Sequence, residues 1–188
     1  MLSKDNGYRL TVIGYRLLVI VMENTQQETT TLLKRPTELE CDVVRFQNQK
    51  DKWIAFVGLK DGRPYEIFTG LADDEEGIAL PKRVTNGKII KVVQPDGSKR
   101  YDFQFVNTRG FKTTVEGLSY KFDREFWNYA RLISGVLRYG MPIDQVVHMI
   151  SGLQMDNDSI NNWTTGVARV LKRYIPGAST EDDLTFLQ

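Results

Sequence analysis

The chain has 188 residues, 41% hydrophobic and 26% charged, which is enough for one domain with an apolar core. Its 25 basic and 24 acidic side chains give a formal charge of +1, without the basic surplus typical of domains that bind nucleic acid through phosphates. Only one cysteine and one histidine are present, which excludes an internal disulfide, a Cys/His metal cage and a catalytic cysteine pair within one chain.

The N-terminal segment contains the longest apolar run, Leu10 to Met22. Gly14 and Arg16 interrupt this run, and it is shorter than the roughly 20 residues that a membrane helix needs. We therefore expect a cytoplasmic protein, consistent with a lone cysteine in a reducing compartment. We expect residues 1–33 to be a flexible or wrongly assigned extension, residues 34–176 to form the folded domain, and residues 177–188 to be an acidic tail.

The first half of the folded region has the alternating pattern of strands. Glu38 to Phe46 and Trp53 to Lys60 are rich in Val, Ile, Phe and Trp. Asp61-Gly62 then precedes another such run, Arg63 to Thr69, and an Asp-Gly pair in this position predicts a tight hairpin turn. A second hairpin is predicted from Lys88 to Gln94 and Arg100 to Val106 around Pro95-Asp96-Gly97-Ser98, and Thr113 to Leu118 is a further candidate strand.

From Phe122 the apolar period changes to about 3.6 residues, which predicts three helices. Asp123 is the expected N-cap of the first, and Gly140 its end. Pro142 is expected to open the second, and a third is expected to start near Asp158 or Ser159 and to end before Pro176. Strands precede helices, which predicts an α+β fold: an antiparallel sheet of hairpins covered on one face by three C-terminal helices.

Few side chains in the chain suggest chemistry. The acidic run Asp73 to Glu76 offers carboxylates to a divalent cation, but consecutive carboxylates rarely converge, so a solvated loop is the better interpretation. His148, at the edge of the second helix's apolar stripe, is either a general base for an independent hydrolase or a structural residue, and the structural interpretation is favoured. Cys41 should be buried on the same strand face as Leu39 and Val43. We predict no catalytic, cofactor-binding or metal-binding residue.

Basic and aromatic residues interleave between Lys82 and Lys112. This pattern is typical of a sheet face that binds single-stranded nucleic acid. An ordinary half-buried sheet gives the same pattern, with aromatic rings inward and charges outward. A free-standing nucleic-acid or nucleotide-binding module therefore stays as the alternative function. The residues concerned are Lys82, Arg83, Lys88, Lys91, Lys99, Arg100, Tyr101, Phe103, Phe105, Arg109, Phe111 and Lys112.

Several separated blocks resemble one family. Asp61-Gly62-Arg63-Pro64-Tyr65-Glu66-Ile67-Phe68 resembles the "DG-P-EVF" hairpin of the domain near the C-terminus of adenosylcobalamin-dependent (class II) ribonucleotide reductase large chains, often named the TSCPD domain. The stretch 130–143 is similar to that family's "LISLALRSGVP" helix and turn, 150–153 to its "LKGI", and 166–175 to its "AIAKALEKYL" helix. The resemblance covers residues 34–175.

The sequence also departs from that pattern. Gln154 to Trp163 lacks the cysteine motif that the family usually carries before its last helix. Lys88 to Leu118 resembles an insertion relative to the short family form. The reductase barrel, with its radical-forming thiol and cobalamin site, and the cysteine-rich redox tail are missing from this sequence.

The resemblance implies a detached accessory domain of a B12-dependent ribonucleoside-diphosphate reductase, which makes deoxyribonucleotides for DNA replication. Such a domain is inert alone and acts by contact with the reductase large chain; adenosylcobalamin belongs to the barrel. Because aromatic residues concentrate at interface hot spots, we expect exposed Trp53 and Tyr65, together with Arg63, to contact that partner.

Overall fold

The computed structural model describes residues 34–48, 51–73, 75, 77–154 and 158–177. The chain divides after Arg35, and the described residues from Pro36 onward form one compact unit. The expectations for the extension before residue 34 and for the tail from 178 lie outside the described residues. Among those described, no helix is both long and apolar enough to cross a membrane.

The strands form one six-stranded antiparallel sheet in the order β3-β2-β1-β4-β5-β6. Their bounds are β1 Glu38–Asn48, β2 Asp51–Lys60, β3 Arg63–Leu71, β4 Asn86–Val93, β5 Lys99–Val106 and β6 Lys112–Val115. Both predicted hairpins are confirmed: Asp61 and Gly62 each have positive φ between β2 and β3, and Gly97 has φ 80° between β4 and β5. In the turn between β2 and β3, positive φ at both central residues matches the twist of the flanking strands.

Four helices follow within the described part of the chain: α1 Leu118–Lys121, α2 Arg124–Arg138, α3 Ile143–Ser151 and α4 Asp158–Lys172. The Asp123 carboxylate accepts a hydrogen bond from Glu125 N–H, and Gly140 ends α2 at φ 82°, so both predicted signals are confirmed. Pro142 is the N-cap of α3 and not its first helical residue. The strand predicted over Thr113 to Leu118 was too long, because Gly117 turns left-handed and Leu118 begins α1.

The α+β fold class is confirmed, with helices α2 to α4 packed on one face of β1 to β3. The sheet also encloses a second apolar core on its opposite face, which includes Phe56, Phe68, Phe103 and Leu118. The rings of Phe68 in β3 and Tyr101 in β5 lie 5.4 Å apart, although three strands separate β3 from β5. A flat sheet would put those strands roughly 19 Å apart. The sheet is therefore strongly curled, and the second core lies inside the curl.

Candidate functional site

The residues with intrinsic reactivity lie apart from one another. Cys41 is buried, and burial raises the pKa of its thiol well above the ordinary value, with a smaller contribution from the nearby carboxylate of Asp42. A thiol held protonated in this way is a poor nucleophile, as predicted. His148 is exposed on α3. Within the described ranges, no three His, Cys, Asp or Glu residues are close enough to hold a metal ion.

The two aromatic residues predicted as partner contacts are not exposed. Trp53 is 2% exposed and Tyr65 is 5% exposed. Trp53 packs edge-on against Phe126 of α2 at 4.8 Å, and the guanidinium of Arg138 lies 5.2 Å from the centre of the Tyr65 ring. The expected exposure was wrong because the covering helices bury this sheet face. Arg63 is exposed at the hairpin turn.

The edge strand β3 is covered by α2, which lies along its open side. The backbone N–H of Ile67 donates to Ser134 Oγ at 3.0 Å, and the Ser134 hydroxyl lies 2.7 Å from Ala130 O. A side chain of the helix thus takes the place of a seventh strand at this position. Because an uncovered edge strand pairs with other chains, this arrangement prevents strand addition at β3.

A partly buried ion pair joins the same two elements. Arg138 Nη2 donates to Glu66 Oε2 at 2.8 Å, and the Glu66 side chain is fully buried. Gly58, opposite Glu66 on β2, makes room for it, since a Cβ at Gly58 would lie 2.7 Å from Glu66 Cγ. Breaking such a pair leaves a buried charge, so the pair fixes where the end of α2 lies on the hairpin.

The residues that join α2 to β3 come from the two sequence blocks that resemble the reductase domain. Glu66 and Ile67 belong to the hairpin block, whereas Ser134 and Arg138 belong to the helix block. Arg63 adds a hydrogen bond to Met141 O, in the turn that ends the helix block. The sequence did not predict the contacts of Glu66 and Ile67 with α2, because neither the hairpin block nor the helix block shows which of its residues contacts the other block.

The outer face of α2 is polar in its first half and apolar in its second. Arg124, Glu125 and Asn128 are exposed near its start. Leu132 and Tyr139 are 70% and 77% exposed. Residues seven apart lie on one helix face, about 10 Å from each other. Gly135 lies between them, and a Cβ added there would meet no atom within 4 Å.

The predicted aromatic face between Lys82 and Lys112 turns most of its rings inward. Phe103 and Phe105 are buried, and Tyr101 packs against the second core; Phe111 is exposed. Lys88 pairs with Glu38 and Glu40, and Arg100 with Asp102 and Glu116. The half-buried-sheet interpretation explains this arrangement. In the acidic loop, the Asp73 carboxylate accepts from Glu75 N–H at 2.7 Å.

Comparison with known proteins gives one family match. The model of the NrdJ homologue C-terminal domain matches residues 39–176, which includes β2 to β6, β1 apart from its first residue Glu38, and the four helices described above. No curated protein and no solved structure gives a significant match to the chain. The resemblance predicted from the sequence is thus confirmed. The chain belongs to the family of NrdJ homologue C-terminal domains, which is related to class II B12-dependent ribonucleotide reductases.

Proposed function

We propose that this chain is a cytoplasmic accessory domain that acts by binding the large chain of a B12-dependent ribonucleoside-diphosphate reductase. The observation that carries the proposal is the family match over residues 39–176. In this proposal adenosylcobalamin belongs to the reductase barrel, and neither His148, exposed on α3, nor Cys41, buried in the curled sheet, is given a role in binding it. We assign no chemical step to the domain itself.

The surface that we assign to the partner is the second half of the outer face of α2. Leu132 and Tyr139 expose apolar area there, and large exposed apolar side chains on one face of the surface are characteristic of interaction sites. The partly buried Glu66–Arg138 pair and the Ser134 contact hold α2 in place on the sheet. A surface held in place before binding loses less conformational entropy when the partner binds.

The experiment is a binding measurement with a purified reductase large chain from the same source. The wild-type domain should bind, and the double variant Leu132→Ser/Tyr139→Ser should bind at least about tenfold more weakly, since each loses a buried apolar contact. The matched control is Val93→Ser/Val106→Ser, which alters two other exposed apolar residues. If the wild type does not associate at micromolar concentration, the proposal is wrong; equal weakening by both double variants would contradict the assigned surface.

The nucleic-acid alternative is less well supported, because only Phe111 among the three phenylalanines of the predicted face is exposed. Stacking needs exposed rings, and Phe103 and Phe105 lie in the core. Retention of a labelled oligonucleotide that falls with rising salt would favour this alternative over a protein interface.

A further inference from the structure

The free edge of β6 carries backbone groups that point away from the sheet. The Asn107 N–H donates to Phe111 O at 2.9 Å and closes the turn between β5 and β6. Bonded and non-bonded pairs alternate along an antiparallel ladder, so the backbone groups of Lys112 and Thr114 face away from β5. Within the part of the chain that the structure describes, no hydrogen bond reaches these outward groups. They are therefore available to another strand.

The outer side chains of β6 are complementary to those of a second copy. If two β6 strands pair antiparallel about a twofold axis at Thr114, Lys112 of each copy lies opposite Glu116 of the other. No described carboxylate forms an ion pair with Lys112 in its own chain. The Glu116 side chain is 64% exposed, and Arg100 Nη1 lies 3.0 Å from its Oε2, which leaves Oε1 for a second cation. Opposite charges across two strands stabilise their pairing.

The same register brings two exposed aromatic residues together. Phe111 is 67% exposed and Tyr120, in α1, is 68% exposed. The axis at Thr114 places Phe111 opposite Gly117 of the second copy. Gly117 has no side chain, and the Tyr120 ring lies beside it, since a Cβ at Gly117 would lie 2.8 Å from Tyr120 Cδ2. Phe111 of each copy thus meets Tyr120 of the other, and the pairing covers both rings.

We propose that two copies of this chain pair through β6 and join their six-stranded sheets into one continuous sheet. The assembly stops at two copies, because α2 covers the other edge strand, β3. β6 has only four residues, so the interface is small and the dissociation constant should be about 0.1 mM. The pairing leaves the outer face of α2 free and does not depend on the proposed function.

The first test measures self-association and hydrogen exchange of the full chain. Sedimentation between about 0.02 and about 1 mM should show monomer and dimer, with no larger species. The amides of Lys112 and Thr114 should exchange about fourfold more slowly at the higher concentration, in proportion to the fraction of monomer. The amides of Thr113 and Val115, which face β5, should exchange at the same rate at both concentrations.

The second test exchanges the charges of the assigned pair. Lys112→Glu places two carboxylates opposite each other and should weaken dimerisation at least about tenfold. Glu116→Lys should weaken it as well, but this variant also loses the contact with Arg100. An equimolar mixture of the two variants should dimerise about as strongly as wild type, because each introduced charge then faces its opposite. Lys52→Glu, at an exposed residue of β2, is the matched control and should leave dimerisation unchanged.

Two results would overturn the proposal. A chain that stays monomeric at about 1 mM would mean that the edge of β6 does not bind a second copy, which would leave it free for a strand of another protein. A dimer that Lys112→Glu does not weaken, or in which Lys112 and Thr114 gain no protection from exchange, would place the contact between copies on another surface.

Discussion

The two edges of the sheet differ in length and in how they are protected. β3 is a nine-residue strand with mostly buried side chains, and α2 covers its open side. β6 has four residues, Lys112 to Val115, that alternate between exposed and half-buried. Long apolar edges promote aggregation, whereas short edges with charged side chains do not. The difference shows that covering β3 is a principal structural task of α2, which leaves only the helix's outer face for binding.

The largest expected effect comes from breaking the ion pair on the covered edge. Arg138→Met removes the guanidinium that donates to the buried Glu66 carboxylate, and this should lower the free energy of unfolding by about 3 kcal/mol. Urea unfolding measures the change. The double variant Glu66→Gln/Arg138→Met should recover part of the loss; a double variant less stable than Arg138→Met would contradict the explanation.

The face of β3 inside the curled sheet is expected to be nearly as sensitive. A Cβ on Gly70 would lie 1.8 Å from Phe122 Cδ1, so Gly70→Ala should cost about 2 to 3 kcal/mol through overpacking. Gly135→Ala, in contrast, should increase stability by up to about 1 kcal/mol, since it improves helix propensity in open space. Thermal unfolding of both variants should show Tm changes of opposite sign; a lower Tm for Gly135→Ala would show that the space beside Gly135 is occupied.

Removal of the Ser134 hydroxyl should have an intermediate effect. Ser134→Ala leaves the Ile67 N–H buried without its acceptor, at a cost of about 1 to 3 kcal/mol. Ser151→Ala is the matched control, because Ser151 also bonds the carbonyl four residues earlier but is exposed, and it should change stability by less than about 0.5 kcal/mol. Hydrogen exchange at Ile67 should accelerate in Ser134→Ala alone.

High pH should loosen α4 from the central strand β1. Burial, and then the hydrogen bond to Asp42, raise the pKa of Tyr174 above its ordinary value near 10. The unfolded chain therefore releases this proton first, so Tyr174 contributes stability that is complete below pH 10 and is lost as pH rises further, by up to about 1.4 kcal/mol per pH unit. Cys41, whose thiol pKa burial also raises, acts in the same direction from a lower pH. Unfolding at pH 9 and pH 11 should show a smaller loss in Tyr174→Phe than in wild type; equal losses would contradict the assignment.

The smallest effects are expected at β6. Thr114→Ala removes an exposed hydroxyl that accepts from Gln104 Nε2 at 3.3 Å, and it should change stability by less than about 0.5 kcal/mol. If Thr114→Ala lowered the free energy of unfolding as much as Ser134→Ala, the two edges of the sheet would contribute equally to stability, which would contradict the difference described above.

Local signals in the sequence determined the elements of this protein and their order. The Asp61-Gly62 turn requires positive φ at both residues, Asp123 caps a helix, and Gly140 ends it, so each acts through its own backbone. The blocks that resemble the reductase domain likewise indicated the family, which the match over residues 39–176 confirmed.

Only the tertiary structure decided which side chains are accessible. Trp53 and Tyr65 were expected at the surface, but the helices bury them, while Leu132 and Tyr139 are exposed. Exposure depends on contacts between residues far apart in the chain, such as Glu66 with Arg138 and Phe68 with Tyr101, and these depend on the curl of the sheet, which periodicity does not encode.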